Sequence, residues 1–333
     1  KLVALFSPEH GIRGVLDEKV GDSRDAKTGL PIWSLYGERR KPTAETLKGL
    51  DTLVYDIQDA GCRFYTYVST LGLVMEAAAE HKLKVVVLDR PNPINGRDVE
   101  GPMLDEGKEA FVAFHRIPVR HGMTVGELAR MLNAERKDKS GQPIRCDLEV
   151  VAMEGWDRRE FFDRTGLTWV NPSPNLRSLT QALLYPGIGL LETTNLSVGR
   201  GTDRPFEWVG APWIDGRKLA RALSDLSLPG LRVVPLNLTP SSSVYKDRPC
   251  GGVQFIIDDW ATFKPLRTSL ALMLTLRKLY PNDWKTDRLD VLLRHRQTLE
   301  GVQKGTRLEL IERSWQADLA DFRQRREPYL LYR

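Results

Sequence analysis

The chain has 333 residues, 41% of them hydrophobic and 28% charged, and its 49 basic and 44 acidic side chains leave a formal charge of +5. A chain of this length buries a large core, and the ordinary size of domains points to two of them. The charges are mixed along the sequence instead of gathered in a stripe, which argues against a nucleic-acid partner, and no apolar run approaches the roughly 20 residues of a membrane span.

Cys62, Cys146 and Cys250 are isolated thiols without paired spacing, so buried free thiols are expected, with neither a disulfide framework nor a structural zinc site. No signal peptide is visible, and the chain opens at Lys1 in a strand-like run without an initiator Met, the pattern of a processed or truncated start.

Residues 3–6 are an apolar run that stops in Pro8, Glu9, His10 and Gly11. They read as a buried parallel strand, with residues 8–14 as the loop at its carboxyl end. Ligands of open α/β sheets bind where such loops leave the strands, so Glu9 is the first catalytic candidate, with His10 beside it. Residues 21–36 read as a long excursion, and Pro42 opens a short predicted helix through Leu50. A second strand, 52–57, exits into Asp56, Gln58 and Asp59, followed by Arg63 and Tyr65. The next helix sets Val68, Leu71, Met75 and Ala78 on one face, a packing stripe.

The third strand, 84–88, leaves into a proline-stiffened loop that holds Asn92 and runs on to Glu100. Thr124 and Glu127 form a capping box at the start of another helix, which puts His121 just ahead of a helix N-terminus. Free amides and the macrodipole favour an anion there, so a substrate carboxylate is expected to dock at that point. After a strand at 148–153, Asn171 to Asn175 make a stiff polar turn before a helix through Leu184. A predicted strand at 187–193 exits into Glu192, Asn195 and Arg200.

Beyond Pro212 the pattern changes to a helix at 216–226, strands at 231–236 and 252–257, and a helix at 268–279. A last helix from Leu308 places Ile311, Trp315, Leu319 and Phe322 on one face. The expected fold is α/β: a Rossmann-like, mostly parallel sheet domain at 1–211, with a second, smaller α+β domain at 212–333 closing a substrate cleft.

The dinucleotide glycine code fails: Glu192 and Arg204 stand where the third glycine would follow Gly187-Ile-Gly189 and Gly199-Arg-Gly201. No Walker sequence and no nucleophile elbow occurs, so no nucleotide cofactor and no serine triad are expected. Glu9, His10, Asp56, Asp59 and His121 lack a local ligand signature such as His-Glu-x-x-His, so no metal is expected, and a metal-dependent hydrolase stays as the alternative. What remains is a pair of carboxylates on strand-exit loops among amides, hydroxyls and arginines. Glycosidic cleavage needs that inventory: one carboxyl protonated for the leaving oxygen, the other ionised as nucleophile or base.

Six motifs then come together: Leu5-Phe-Ser-Pro-Glu-His-Gly-Ile-Arg-Gly14; Tyr55-Asp-Ile-Gln-Asp-Ala-Gly61 with Arg63 and Tyr65-Thr66; Asp89-Arg-Pro-Asn-Pro93 with Val99-Glu-Gly-Pro102; Arg120-His-Gly-Met-Thr124; Asn171-Pro-Ser-Pro-Asn175; and Glu192-Thr-Thr-Asn195 with Gly199-Arg-Gly-Thr202. In this order they resemble the NamZ-like exo-β-N-acetylmuramidases, over the chain from Leu2 to Tyr332. The resemblance implies release of terminal N-acetylmuramic acid from the non-reducing end of peptidoglycan fragments by a glutamate pair, in a secreted or periplasmic bacterial protein, with a cytoplasmic place as the other option. Glu9 matches one of that pair; Glu100 and Glu192 are both candidates for the other. Family members carry a further strand and helix ahead of the position of Leu2.

Muramic acid bears a lactyl carboxylate, so Arg13, Arg63, Arg200 or the amides near His121 are candidate clamps for it. His10, Asp56, Gln58, Asp59, Tyr65, Asn92 and Asn195 are assigned to substrate binding. A cell-wall sugar-binding module without turnover is the reading from another class.

Overall fold

The computed structural model describes residues 1–16 and 21–333. β1 (Leu5–Ser7), β2 (Ser23–Arg24) and β3 (Pro31–Ser34) form a small sheet in the order β1-β3-β2, with Phe6 opposite Trp33 in its parallel pair. β4 (Thr52–Tyr55), α1 (Tyr67–His81) and β5 (Lys84–Leu88) follow. β6 (Glu100–Met103) and β7 (Pro118–Arg120) make an antiparallel ribbon, and α2 (Val125–Glu135) leads into β8 (Asp147–Val151).

β4, β5 and β8 form the parallel sheet, Leu53 pairing with Val85 and Val85 with Leu148. Alternation sets its faces: Leu53, Tyr55, Val85 and Val87 are buried, whereas Val54 between two of them is 62% exposed. The buried face packs on Leu71 and Ala78 of α1 and on Ala129 and Leu132 of α2. The capping box is present as read, Thr124 Oγ1 accepting the Glu127 amide and Glu127 Oε2 the Thr124 amide.

α3 (Leu179–Ile188) opens the second half, which continues with β9 (Trp208–Ala211), α4 (Gly216–Ser224), β10 (Leu231–Pro235), β11 (Gly251–Ile257), α5 (Pro265–Leu279), α6 (Asp290–Leu293), α7 (Arg296–Lys304) and α8 (Leu308–Arg326). Its sheet is antiparallel, β10-β11-β9. Ile311, Trp315, Leu319 and Phe322 of α8 are all buried, on one face as their spacing predicts. One apolar core runs through both halves, from Phe64 and Met131 to Phe255, Leu272 and Trp315. The fold is thus mixed α/β, with one parallel sheet and several smaller ones.

Two predicted elements are corrected. Residues 187–193 are the end of α3 and a 3-10 turn (Gly189–Thr193), not a strand. The apolar, glycine-containing run reads as a strand because short buried helices and strands share that composition. Its glycines serve close packing instead: a Cβ on Gly187 would stand 2.2 Å from the Pro265 carbonyl oxygen, where α3 meets the start of α5. Residues 42–50 form turns, not a helix. Thr43 and Thr46 exchange side-chain and backbone hydrogen bonds there, which offers the backbone an alternative to the helical ladder, and Gly49 at φ 79° follows.

The chain end returns to the first half. Leu331 N donates to Glu127 Oε1 at 2.9 Å, Arg158 Nη1 to the Tyr332 carbonyl at 2.8 Å, and the Tyr332 hydroxyl to Asp89 Oδ2 at 2.6 Å.

Candidate active site

The turn after β1 presents the first acid. Gly11 N bonds back to the Pro8 carbonyl, and His10 adopts φ 70°, a left-handed conformation that costs a residue with a Cβ of order 1 kcal/mol. This turn holds Glu9 against the start of α1, where the Thr66 hydroxyl donates to Glu9 Oε2 at 2.5 Å and the Tyr67 hydroxyl to the Glu9 carbonyl at 3.0 Å. Burial, reinforced by the Glu9 charge, pushes the Tyr67 hydroxyl up to about 12. His10 Nδ1 donates to the Leu16 carbonyl at 2.7 Å, which fixes the tautomer and the ring.

Glu9 and His10 line a cavity of about 350 Å³. Glu192, from the 3-10 turn after α3, lines it as well, in a charged hydrogen bond with Arg200 Nε. Both partners are about three-quarters buried, at 25% and 21% side-chain exposure, so their attraction is less screened than that of a surface pair. Tyr185 of α3 lines the same cavity, its ring clamped edge-on by Phe64 and Phe206 at 5.1 and 4.8 Å between centroids. Burial first, then the charges of Glu192 and Glu9, hold the Tyr185 hydroxyl well above its ordinary value. Phe111, Arg40 and Arg294 are among the other residues that line it.

The other predicted site residues are distributed as follows. Tyr65 lines the same cavity, its hydroxyl donating to the Pro172 carbonyl at 2.9 Å. Glu100 does not: it lies on β6, bonded at 2.5 Å by Arg120, whose guanidinium is buried and also faces Asp98. Arg63 is 1% exposed and donates to the carbonyls of Pro102, Ile117, Leu292 and Leu293, so its charge serves packing between the two halves and no substrate. Arg13 pairs with Asp25, Asp56 with Arg90, and Gln58 donates to the Asp59 and Pro91 carbonyls. These last three border a separate groove of about 980 Å³ between β1 and β4. Asn92 is buried and bridges Met123 and Ile94, and Asn195 ties its loop to Asp283 and Lys285.

The expected anion site ahead of α2 is already filled from within. Asp89 Oδ1 accepts the Gly126 amide and Oδ2 the Thr124 hydroxyl, each at 2.7 Å, so a protein carboxylate occupies the helix N-terminus. His121 is fully buried; its Nδ1 accepts the Met123 amide, and its Nε2 lies 3.6 Å from Asp59 Oδ2, beyond hydrogen-bond range.

Thr66, Tyr185, Arg40 and Arg294 also line the cavity, and the sequence motifs do not mark them as site residues. Thr66 sits inside a quoted motif, beside Tyr65, and was legible. Tyr185 looks like any helix-interior aromatic, and Arg40 and Arg294 carry no motif. No cluster of three or more His, Cys, Asp or Glu side chains suited to a metal is found among the described residues.

A mixed α/β protein that turns two hydrogen-bonded carboxylates into one polar, aromatic-lined cavity has the makings of a glycoside hydrolase site. The comparisons narrow this further. The family profile described as exo-β-N-acetylmuramidase NamZ, N-terminal, matches residues 1–180, and the corresponding C-terminal profile matches residues 183–332. The chain belongs to the NamZ exo-β-N-acetylmuramidase family. It is 43% identical to the peptidoglycan β-N-acetylmuramidase NamZ of Bacillus subtilis (strain 168), over 100% of this chain and 80% of that protein. Two solved structures of DUF1343 family proteins from Bacteroides fragilis NCTC 9343 superpose with TM-scores of 0.91 and 0.80, at 40% and 33% identity, over 100% of this chain and 86% of each of theirs.

Proposed function

We propose that the chain is an exo-β-N-acetylmuramidase that releases terminal N-acetylmuramic acid from the non-reducing end of peptidoglycan fragments, with Glu9 and Glu192 as its carboxyl pair. Family membership and the B. subtilis relative support the reaction and the substrate. The observation that carries the assignment of the pair is that Glu9 and Glu192 line one cavity, while Glu100 is engaged by Arg120 outside it. With this reading goes a place at the bacterial cell wall, secreted or periplasmic.

The two acids differ in their neighbours. Thr66 donates to Glu9 Oε2 and fixes that carboxyl at the cavity, where it serves as the general acid toward the leaving oxygen. Arg200 orients Glu192 as the charged partner that meets the positive character developing at the anomeric carbon, either as nucleophile or as base toward water.

The test is release of N-acetylmuramic acid from 4-nitrophenyl β-N-acetylmuramide by the parent and its Glu9→Gln, Glu192→Gln and Glu100→Gln variants. Glu9→Gln and Glu192→Gln are expected to lose about 1,000-fold or more in kcat. Equal loss in Glu100→Gln at unchanged thermal stability would reopen the choice of partner. Tight binding without turnover by the parent would favour a sugar-binding module instead.

A further inference from the structure

The same cavity carries cations that the carboxylate pair does not use. Arg40 lies over the Phe111 ring, its guanidinium carbon 4.2 Å from the centroid, and Arg294 donates from Nη1 to the Lys108 carbonyl at 2.8 Å. Both side chains are therefore anchored to one short segment, which is closed by a bridge between Ala110 and Ala113. Arg294 is fixed further by its Nε, which donates to the Val291 carbonyl at 3.0 Å, and by a left-handed backbone at φ 46° just past α6. Neither guanidinium forms an ion pair with a carboxylate among the described residues, whereas Arg200 on the same cavity is paired with Glu192.

Two guanidiniums without a carboxylate partner among the described residues, lining the same cavity as two acids, give the site charges of both signs. A sugar bearing a carboxylate is repelled by the charged Glu192 unless its own charge is turned to the guanidiniums. Muramic acid differs from glucosamine by one group, the lactyl ether on O3, and that group ends in a carboxylate. A planar guanidinium already stacked on an aromatic ring loses little further freedom on accepting a bidentate carboxylate.

We infer that Arg40 and Arg294 form the subsite that reads the lactyl carboxylate and thereby selects muramic acid over glucosamine. This rests on the muramidase reading above and adds the residues that set its specificity. It also moves the clamp away from Arg13 and Arg63, which pair or pack elsewhere, and from Arg200, which is committed to Glu192.

The experiment compares three 4-nitrophenyl β-glycosides: N-acetylmuramic acid, its lactyl methyl ester, and N-acetylglucosamine. The ester keeps the bulk and removes the charge. In the parent, kcat/KM for the acid is expected to exceed that for the ester by about 10- to 100-fold, the range of one or two charge-assisted hydrogen bonds. Arg40→Gln and Arg294→Gln are each expected to reduce that ratio about 10-fold, and the double variant to bring it near unity. Because the readout is a ratio within one protein, partial misfolding of a variant cancels. A double variant that kept the parent's full preference for the acid over the ester would overturn the inference while leaving the muramidase reading intact. A parent that turned over none of the three would overturn that reading, and this subsite with it.

Discussion

The Arg63 guanidinium donates to the Leu293 carbonyl at 2.6 Å, across 230 positions of sequence. Three more carbonyls, of Pro102, Ile117 and Leu292, accept from the same group, so one buried cation gathers β6, the approach to β7 and the end of α6. Burial lowers its pKa to about 10, still far above neutrality, so it remains charged. Arg63→Met strands four carbonyls, and a loss of about 3 kcal/mol or more is expected. A urea melt reads this as a fall in midpoint; a change under about 0.5 kcal/mol would show that water replaces the guanidinium without cost.

The Asp89 carboxylate at the N-terminus of α2 also anchors the end of the chain through Tyr332. Asp89→Ala is expected to cost about 2 kcal/mol, because it removes the helix-terminal anion and frees the Tyr332 hydroxyl. Hydrogen exchange should quicken at the first-turn amides of α2. Unchanged protection there would place the cap's strength in Thr124 and Glu127 alone.

Tyr185→Phe separates chemistry from packing, since phenylalanine keeps the ring contacts with Phe64 and Phe206 and loses only the hydroxyl, which feels the charges of Glu192 and Glu9. A fall of about 10- to 100-fold in kcat is expected, with a smaller change in KM. The thermal midpoint should stay within about 2 °C of the parent's. A variant with full kcat would reduce Tyr185 to a packing residue.

Glu135 on α2 joins α8 through Arg325 and reaches His115. Burial raises its carboxyl, but hydrogen bonds from His115 and Arg325 outweigh that and hold it at about 2, against an ordinary value of 4.5. The unfolded chain therefore takes up this proton first as the pH falls. Its contribution is fully present above pH 4.5 and is lost between there and about 2. Midpoints recorded from pH 6 to 2 are expected to fall less steeply in Glu135→Gln than in the parent, because the variant has lost this contribution at every pH. Parallel profiles would mean that the α2–α8 contact carries no proton linkage.

Local periodicity and capping made much of the fold legible. β5 matches its predicted bounds, the α2 box closes as read, and the apolar faces of α1 and α8 are buried as their spacing requires. These follow from neighbours within a few residues, where backbone geometry alone sets what meets what. The motifs were enough to recognise the family and to single out Glu9, Glu100 and Glu192 as candidate acids. What they could not decide was which of many polar side chains face a cavity and which lie inside the protein. Arg63 and His121 read as site residues and are buried, and the helix N-terminus expected to take a substrate carboxylate is filled by Asp89, 35 positions ahead of Thr124. Only the tertiary fold chose Glu192 over Glu100 as an acid sharing a cavity with Glu9, and only it brought Arg40 and Arg294 to that same cavity. Such pairings are made by packing of segments far apart in the chain, and a charge carries no local mark of the partner that will meet it.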